Sequence, residues 1–298
     1  MNRYICKVCK KQFQSKKKSQ RLDLKIFKQY VFGKQTLIQL SVDSGLSLPT
    51  LRKHLDALEI PVLNPAPRAI ILVLDALYFG EKEDQDGLLV CKDYLTKEIV
   101  YYNFIHTETK QVYQEAKQQL EQKGFTILAV VADGRIGIKP VFKDIPLQMC
   151  QFHQIQIVNR YLTKKPKLEP AIRLKEIMSK LTKSSREEFE LLIYNWLKSY
   201  QYFLDEQTTN PITGRKIYTH KRLRSAVYSL VRNMEYLVTY QNYPELNIPN
   251  TTNTLEGWFS HLRKLLNCHT GLRKDRRNKL IEYILLESVR ESAKLTAK

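Results

Sequence analysis

The chain has 298 residues, 43% hydrophobic and 27% charged, a composition typical of a globular protein rather than a disordered one. Lysine and arginine outnumber aspartate and glutamate by 49 to 30, so the net charge of +19 favours a polyanionic partner, above all nucleic acid. The longest apolar run, Ala69 to Leu74, is too short to span a bilayer, no secretory signal is visible, and the five cysteines are scattered. We therefore expect a protein without membrane association that stays in a reducing compartment of the cell that makes it.

The first predicted module covers residues 1–68, is strongly basic and ends in a proline-rich linker at 61–67. Within it, residues 35–58 have the pattern of a helix-turn-helix, with a turn at Gly45 and Ser47 as the cap of the second helix. Leucines line one face of that helix, which leaves the other face for DNA contacts. A helical hairpin without DNA contact has the same pattern, but the surrounding positive charge favours DNA binding. The predicted contacts are Thr50, Arg52, Lys53 and His54.

Cys6 and Cys9 form a CxxC pair, which is the first half of many zinc sites because the tight turn supplies two thiolates to one ion. No second pair follows, and the next cysteine or histidine is His54. A vestigial half-site is the favoured interpretation. Recruitment of Cys150 and His153, or of a second chain, remains open.

Residues 69–154 are predicted to form the first part of an α/β core. The run at 69–77 is β-branched and leucine-rich, as in a buried central strand, and a hairpin, a helix and a second buried strand follow it. Asp75 lies near the end of the first of these strands, and Asp133 directly follows the last. The predicted boundaries are 87–94 and 98–105 for the hairpin, 108–123 for the helix, 125–132 for the second buried strand, and 147–150 for a further short strand.

This order of strand, hairpin, helix and strand is the ribonuclease-H-like arrangement, a mixed sheet with flanking helices. The first and fourth strands are then neighbours, so Asp75 and Asp133 should meet at one edge of the sheet. Two adjacent carboxylates repel each other unless they are protonated or bind a cation, and Mg²⁺ prefers such hard oxygen ligands. For either aspartate by itself, a strand-end residue that caps a turn would be the better explanation.

Residues 155–246 have helical periodicity and are predicted to be an all-α insertion, and residues 247–298 should return to the core as C-terminal helices. Glu256 lies in the first turn of the first of these helices, whose apolar face would anchor it, and Asn253 would cap that helix. A glutamate that only stabilises the helix dipole is the alternative for Glu256. The buried face is predicted to comprise Leu255, Phe259, Leu262 and Leu266.

Three short motifs occur in a fixed order along the core. They are Ala132-Asp133-Gly134, then Cys150-Gln151-Phe152-His153, then Asn253-Thr254-Leu255-Glu256-Gly257-Trp258 after the helical insertion. With the N-terminal CxxC and helix-turn-helix, this order resembles the Mutator-like DDE transposases of bacterial insertion sequences over about residues 70–286. The missing second cysteine pair is a departure from that family.

The resemblance implies that Asp75, Asp133 and Glu256 are catalytic and bind Mg²⁺ or Mn²⁺ as a pair of ions. It places the CxxH signature on Cys150 and His153 and implies a role for them near the active site, and Asn253 and Trp258 are further candidates for its support. The alternatives are a buried strand residue with a hydrogen-bonded neighbour for Cys150 and His153, and simple packing for Trp258. It implies strand cleavage and strand transfer between element ends and target DNA by a homodimer or larger assembly, in the nucleoid of a bacterial cytoplasm. Further predicted DNA contacts are Arg135, Arg273, Lys274, Arg276 and Arg277.

Two other functions are compatible with the same sequence. A nuclease on the same core would cut DNA without strand transfer. A regulator derived from a transposase would bind DNA through the helix-turn-helix and keep the core only as a scaffold.

Overall fold

The computed structural model of the chain describes residues 3–5, 7–14, 17–80 and 86–296. By its internal contacts the chain divides into two compact units, Met1–Asn64 with Gly257–Lys298, and Pro65–Glu256. We call these the terminal unit and the core unit. The predicted domain boundaries, including the assignment of residues 247–298 to the core, stay predictions.

The terminal unit is mainly helical. Thr36 and Gln39 form a reciprocal capping box at the start of its second helix, and Gly45 ends that helix with φ +67°, a left-handed conformation that suits glycine. Ser47 caps the third helix, as predicted. The elements are the hairpin β1 (Arg3–Ile5) and β2 (Gln12–Gln14), then α1 (Lys17–Val31), α2 (Leu37–Ser44) and α3 (Leu48–Ala57), and later α11 (Lys274–Thr296). The helix α10 (Asn253–Asn267) begins in the core unit and belongs to the terminal unit from Gly257 onward.

Aromatic and aliphatic side chains from helices distant in the chain form the interior of the terminal unit. Phe27 of α1 meets Tyr283 of α11 edge to face with 4.8 Å between ring centroids, and Tyr30 lies 4.0 Å from the ring of His269. Leu51 and Leu55 are buried on the inner face of α3. The sequence pattern did not predict α1 or the β1–β2 hairpin.

The core unit is built on a mixed sheet of five strands in the described part of the chain. Their spatial order is β5-β4-β3-β6-β7. The strand β4 runs in the opposite direction to the other four strands. In the central strand β3, Ala69 is exposed and residues 70–74 are all buried, as their run of β-branched and leucine side chains predicts. The bounds are β3 (Ala69–Phe79), β4 (Asp86–Asp93), β5 (Ile99–Ile105), β6 (Thr126–Ala132) and β7 (Leu147–Met149).

The helix α4 (Lys110–Gln122) connects β5 to β6 and packs one face of the sheet, with Tyr113, Ala116 and Leu120 buried in the hydrophobic core. Three consecutive strands in a meander, a crossover helix, and a fourth strand added beside the first define the ribonuclease-H-like fold. The predicted fold class is therefore confirmed, and every predicted strand of the sheet lies within two residues of its observed bounds.

Helices dominate the remainder of the core unit and form a second hydrophobic cluster around Trp196, Phe189 and Leu230. The first of them begins at Gln151, four residues before the predicted start of the insertion at 155. The prediction of an all-α segment missed a small exposed hairpin, because a strand of three residues is too short to show the alternation of apolar and polar residues. The elements are α5 (Gln151–Leu162), α6 (Glu169–Met178), α7 (Arg186–Asp205), β8 (Gln207–Thr209), β9 (Lys216–Tyr218), α8 (Lys221–Leu237), α9 (Thr239–Asn242) and a 3-10 turn (Pro244–Leu246).

Among the described residues, no helix combines the length and apolar character needed to cross a membrane.

Candidate active site

Asp75 and Asp133 lie at the same level of two adjacent parallel strands. Val73 of β3 and Val131 of β6 are paired in register, and each aspartate is two residues further along its own strand direction. Because side chains alternate between the faces of a sheet, both carboxyl groups lie on one face at this edge. The structure thus places these two predicted residues together.

The environment of Asp75 opposes its charge. Burial is the main cause that raises the pKa of Asp75 to about 7, and the neighbouring charges of Asp133 and Glu108 act in the same direction. The charge of His153 and a hydrogen bond of 2.9 Å from the backbone nitrogen of Ala76 act against this rise. A buried carboxyl with two acidic neighbours is a site at which a cation would be stabilised.

Glu108 is a third acid at this edge, and the sequence reasoning missed it. Only 3% of its side chain is exposed, and its carboxylate accepts hydrogen bonds from the hydroxyls of Tyr78, at 3.1 Å, and Tyr113. Burial and the charge of Asp133 raise the pKa of Glu108, against the effects of the Tyr113 bond and of Arg135. Its position just before α4 gave no signal, because its partner Tyr78 is distant in the sequence.

Arg135 joins Glu108 to Asp133. Its guanidinium is 3.0 Å from Oε1 of Glu108 and 3.0 Å from Oδ2 of Asp133, and its backbone nitrogen donates to Oδ1 of Asp133 at 3.1 Å. About half of the side chain, 51%, is exposed. Arg135, predicted as a DNA contact, is therefore engaged with both acids and still faces solvent.

Glu256 lies in the first turn of α10, as predicted, and Thr252 immediately precedes this helix. The Thr252 carbonyl accepts from the backbone nitrogen of Glu256 at 3.2 Å, so Thr252 occupies the position predicted for Asn253, which is exposed. The Thr252 hydroxyl lies 3.3 Å from Oε1 of Glu256 and 3.4 Å from the sulfur of Cys150. Leu255, Phe259 and Leu262 are buried as predicted, but Leu265 is more deeply buried than Leu266.

Cys150 and His153 lie at the start of α5, next to Glu256. Burial raises the pKa of the Cys150 thiol, but its interactions with His153 and Thr252 outweigh this and hold the pKa below its usual value. Burial likewise opposes the charge of His153, yet Cys150, Asp75 and Asp133 together raise the pKa of His153 to about 9. Nδ1 of His153 is buried, has no hydrogen-bond partner among the residues that the structure describes, and lies 3.9 Å from Oε1 of Glu256.

The three predicted catalytic acids do not form one tight cluster. Among the described residues, the group of three metal-binding side chains whose ligand atoms all lie within 4.8 Å of one another is Cys150, His153 and Glu256. His153 connects the two halves of the site, because its charge interacts with both aspartates while its ring faces Glu256.

The residues at this edge fit a divalent cation. Asp75 and Asp133 provide hard oxygen ligands of the kind that Mg²⁺ and Mn²⁺ prefer, and a bound cation would offset the burial that raises the pKa of Asp75. An open cleft of about 540 Å³ reaches Asp133 and Glu108, and its lining includes the cationic side chains Arg135 and Arg160. The cleft is thus open to an anionic substrate.

The other predicted DNA contacts lie in the terminal unit. Arg52 and Lys53 are exposed on α3, whereas His54 is turned inward, with Nδ1 2.5 Å from Oδ1 of the buried Asp23. Arg276 forms a bidentate pair with Asp56 at 2.8 and 2.6 Å. Arg273 pairs with Asp275, Lys274 is exposed and Arg277 is half-buried.

The remaining predicted site residues are Cys6, Cys9 and Trp258. Cys6 lies outside the described residues, so the predicted zinc pair stays a prediction, and Cys9 is exposed. The Trp258 indole nitrogen donates to the hydroxyl of Ser288 at 3.1 Å, which is a packing contact within the terminal unit.

No protein-family model matches the chain, and none of the curated proteins does. Among solved structures, it is similar to a chain of the Drosophila P element transposase strand transfer complex, with 12% identity, a TM-score of 0.41, and 94% of this chain aligned to 93% of that chain. It is also similar to a chain of the simian T-cell lymphotropic virus intasome in complex with PP2A regulatory subunit B56 gamma, with 10% identity, a TM-score of 0.23, and 69% of this chain aligned to 65% of that chain. These TM-scores are too low to carry an argument about activity, which therefore rests on the residues of the site.

Proposed function

We propose that this chain is a DNA transposase, a polynucleotidyl transferase in which Asp75, Asp133 and Glu256 are the metal-binding acids. The observation that carries the proposal is the register of β3 and β6, since it brings Asp75 and Asp133 to one edge of a ribonuclease-H-like sheet. Glu256 supports it from the start of α10, where its carboxylate faces His153.

The proposed reaction has two phosphoryl transfers. Water first attacks a phosphodiester at an element end, which leaves a 5′ phosphate on the flanking DNA and a 3′ hydroxyl on the element. That hydroxyl then attacks a phosphodiester of the target DNA, forms a bond to the target 5′ phosphate and displaces the target 3′ hydroxyl. Divalent cations held by these acids would neutralise charge on the reacting phosphate and its attacking and leaving oxygens. No covalent bond between protein and DNA is needed.

The chain's own side chains would orient the substrate. Arg135 and Arg160 line the cleft beside Asp133, where their charges favour a DNA phosphate. Because Arg135 is also held by Glu108, it would present its charge from a fixed position. His153 adds positive charge next to Asp75 and Asp133, which reduces the repulsion between these carboxylates.

The proposed reader of the element ends is α3 in the terminal unit. Ser47 and Gly45 give α2 and α3 the form of a helix-turn-helix, and Arg52 and Lys53 are exposed on α3. The net charge of +19 supports binding to terminal inverted repeats. The order of the three core motifs supports assignment to the Mutator-like transposases of bacterial insertion sequences, which would act as a dimer or larger assembly because two ends must be joined.

The decisive experiment combines the full-length protein, Mg²⁺ or Mn²⁺, labelled duplexes copied from the inverted repeats that flank the gene, and a plasmid target. Cleaved and joined products are separated on a gel. Asp75→Asn, Asp133→Asn and Glu256→Gln should each lower both rates by at least about 100-fold, because each removes part of the charge that stabilises the transition state. Asp144→Asn and Glu245→Gln, which change exposed acids of the same unit, should keep wild-type rates.

The products also separate the alternatives. Cleavage without joining would identify a nuclease, and repeat binding without cleavage would identify a DNA-binding regulator. Equal activity of the Glu256→Gln variant and the wild type would remove Glu256 from the catalytic set.

A further inference from the structure

Three side chains with different donor atoms converge between the first turns of α5 and α10. The Cys150 sulfur, a ring nitrogen of His153 and a carboxylate oxygen of Glu256 lie within 4.8 Å of one another. The Thr252 hydroxyl lies 3.4 Å from the sulfur and 3.3 Å from Oε1 of Glu256, so a single hydroxyl contacts both of these potential metal ligands. The cluster differs in chemistry from the Asp75–Asp133 pair, because it adds sulfur and nitrogen donors.

The spacing within the cluster suits a small tetrahedral ion. Nδ1 of His153 and Oε1 of Glu256 are 3.9 Å apart, which is too far for a hydrogen bond. Nitrogen and oxygen ligands at about 2.0–2.1 Å from one tetrahedral zinc ion are separated by about 3.3–3.4 Å. Small side-chain rotations would therefore complete the geometry. Nδ1 of His153, which is buried without a hydrogen-bond partner in the described part of the chain, would then coordinate the ion.

The local sequence supplies two of the ligands from one turn. Cys150 immediately precedes α5 and His153 lies in its first turn, so a Cys-x-x-His spacing places both side chains at the same helix end. Glu256 approaches from the first turn of α10. Each ligand is thus fixed by a helix terminus, as in sites that hold an ion between two elements.

We propose that Cys150, His153 and Glu256 form a second cation site, which takes an ion of the Zn²⁺ class. Thiolate and imidazole ligands select zinc or cobalt over Mg²⁺, and binding would release the proton of the His153 imidazolium together with any proton on the thiol. Three protein ligands leave a fourth tetrahedral position open to a water or a substrate oxygen. The site itself goes beyond the proposed function. The ion would bind Glu256 and so compete with the Mg²⁺ site for this acid. This competition, unlike the site itself, rests on the proposed function.

The test uses Co²⁺ as the probe, since cobalt–thiolate charge transfer gives near-ultraviolet absorption that Mg²⁺ cannot give. The full-length protein carries Cys6→Ser and Cys9→Ser, which removes the other possible thiolate pair. Titration should give one equivalent of bound Co²⁺ with the thiolate band, which Zn²⁺ displaces and excess Mg²⁺ does not. Cys150→Ser should abolish the band, and Cys268→Ser, the control at a half-buried cysteine, should retain it.

Two further variants test the other ligands. His153→Ala and Glu256→Gln should each weaken Co²⁺ binding at least tenfold and keep the thiolate band at saturation. Circular dichroism verifies the fold of each variant, and Cys150→Ala serves as a second sulfur-free variant.

Absence of the band in the Cys6→Ser/Cys9→Ser protein, or its persistence without Cys150, would overturn the proposal. No DNA is present, so a failed transposition assay leaves this result unaffected, and a failed titration leaves the proposed transposase activity standing.

Discussion

Asp133 and Glu256, two of the three proposed catalytic acids, are held in opposite ways. Arg135 contacts Asp133 through its guanidinium and its backbone nitrogen, and the buried Glu108 holds Arg135 in turn. Glu256 instead interacts with the Thr252 hydroxyl at 3.3 Å and faces Nδ1 of His153, for which the described residues provide no hydrogen-bond partner. The Asp133 side is thus preorganised by the protein, whereas the Glu256 side has unused bonding capacity for a ligand.

The largest effect is expected at the anchor of the Asp133 side. Glu108→Ala leaves the hydroxyls of Tyr78 and Tyr113 and the charge of Arg135 without their shared partner. Loss of a buried carboxylate with such partners should lower the free energy of unfolding by about 3 kcal/mol, measured by urea denaturation. Glu121→Ala on the same helix, where the side chain is 51% exposed, should cost less than about 0.5 kcal/mol. Equal losses in both variants would show that Glu108 anchors nothing.

A smaller effect is expected at the turn that carries Asp133. Gly134 has φ +65° and Gly45 has φ +67°, so alanine is strained at both positions. Only at Gly134 would the added carbon collide with a neighbour, the side chain of Met149, while Gly45 has open space. Thermal or urea unfolding should show a loss of about 1 kcal/mol for Gly45→Ala and about 2 kcal/mol for Gly134→Ala. If Gly134→Ala were the milder change, the turn would not be tightly constrained.

The smallest effect is expected on the Glu256 side. Thr252→Val removes a buried hydroxyl that contacts Cys150 and Glu256, and should lower the free energy of unfolding by about 1 kcal/mol. Thr254→Val is the matched control, because the Thr254 hydroxyl is buried without a hydrogen-bond partner among the described residues. That change should be neutral or stabilising in the same urea titration. A larger loss for Thr254→Val would reverse our view of which hydroxyl supports Glu256.

The sequence predicted the sheet well because each strand has its own local pattern. The run at 69–77 is continuously apolar, and Asp75 and Asp133 interrupt or end such runs, so they were identified without the structure. The β8–β9 hairpin was missed because its two strands are short and largely exposed. Glu108 was missed because its burial depends on Tyr78, which approaches it only in the folded sheet.

The sequence by itself determined the order of the strands and the helix of the core sheet, the two aspartates on neighbouring strands and the basic character of the chain, since these follow from local periodicity and composition. Only the tertiary structure decided which side chains meet: Arg135 between Glu108 and Asp133, and Glu256 beside His153 and Cys150. The physical reason is that burial and partner distance, which set pKa and bonding, depend on residues far apart in the chain. The contrast between Asp133, which the protein holds in place, and Glu256, which has bonding capacity left for a ligand, is therefore a property of the fold and not of any motif.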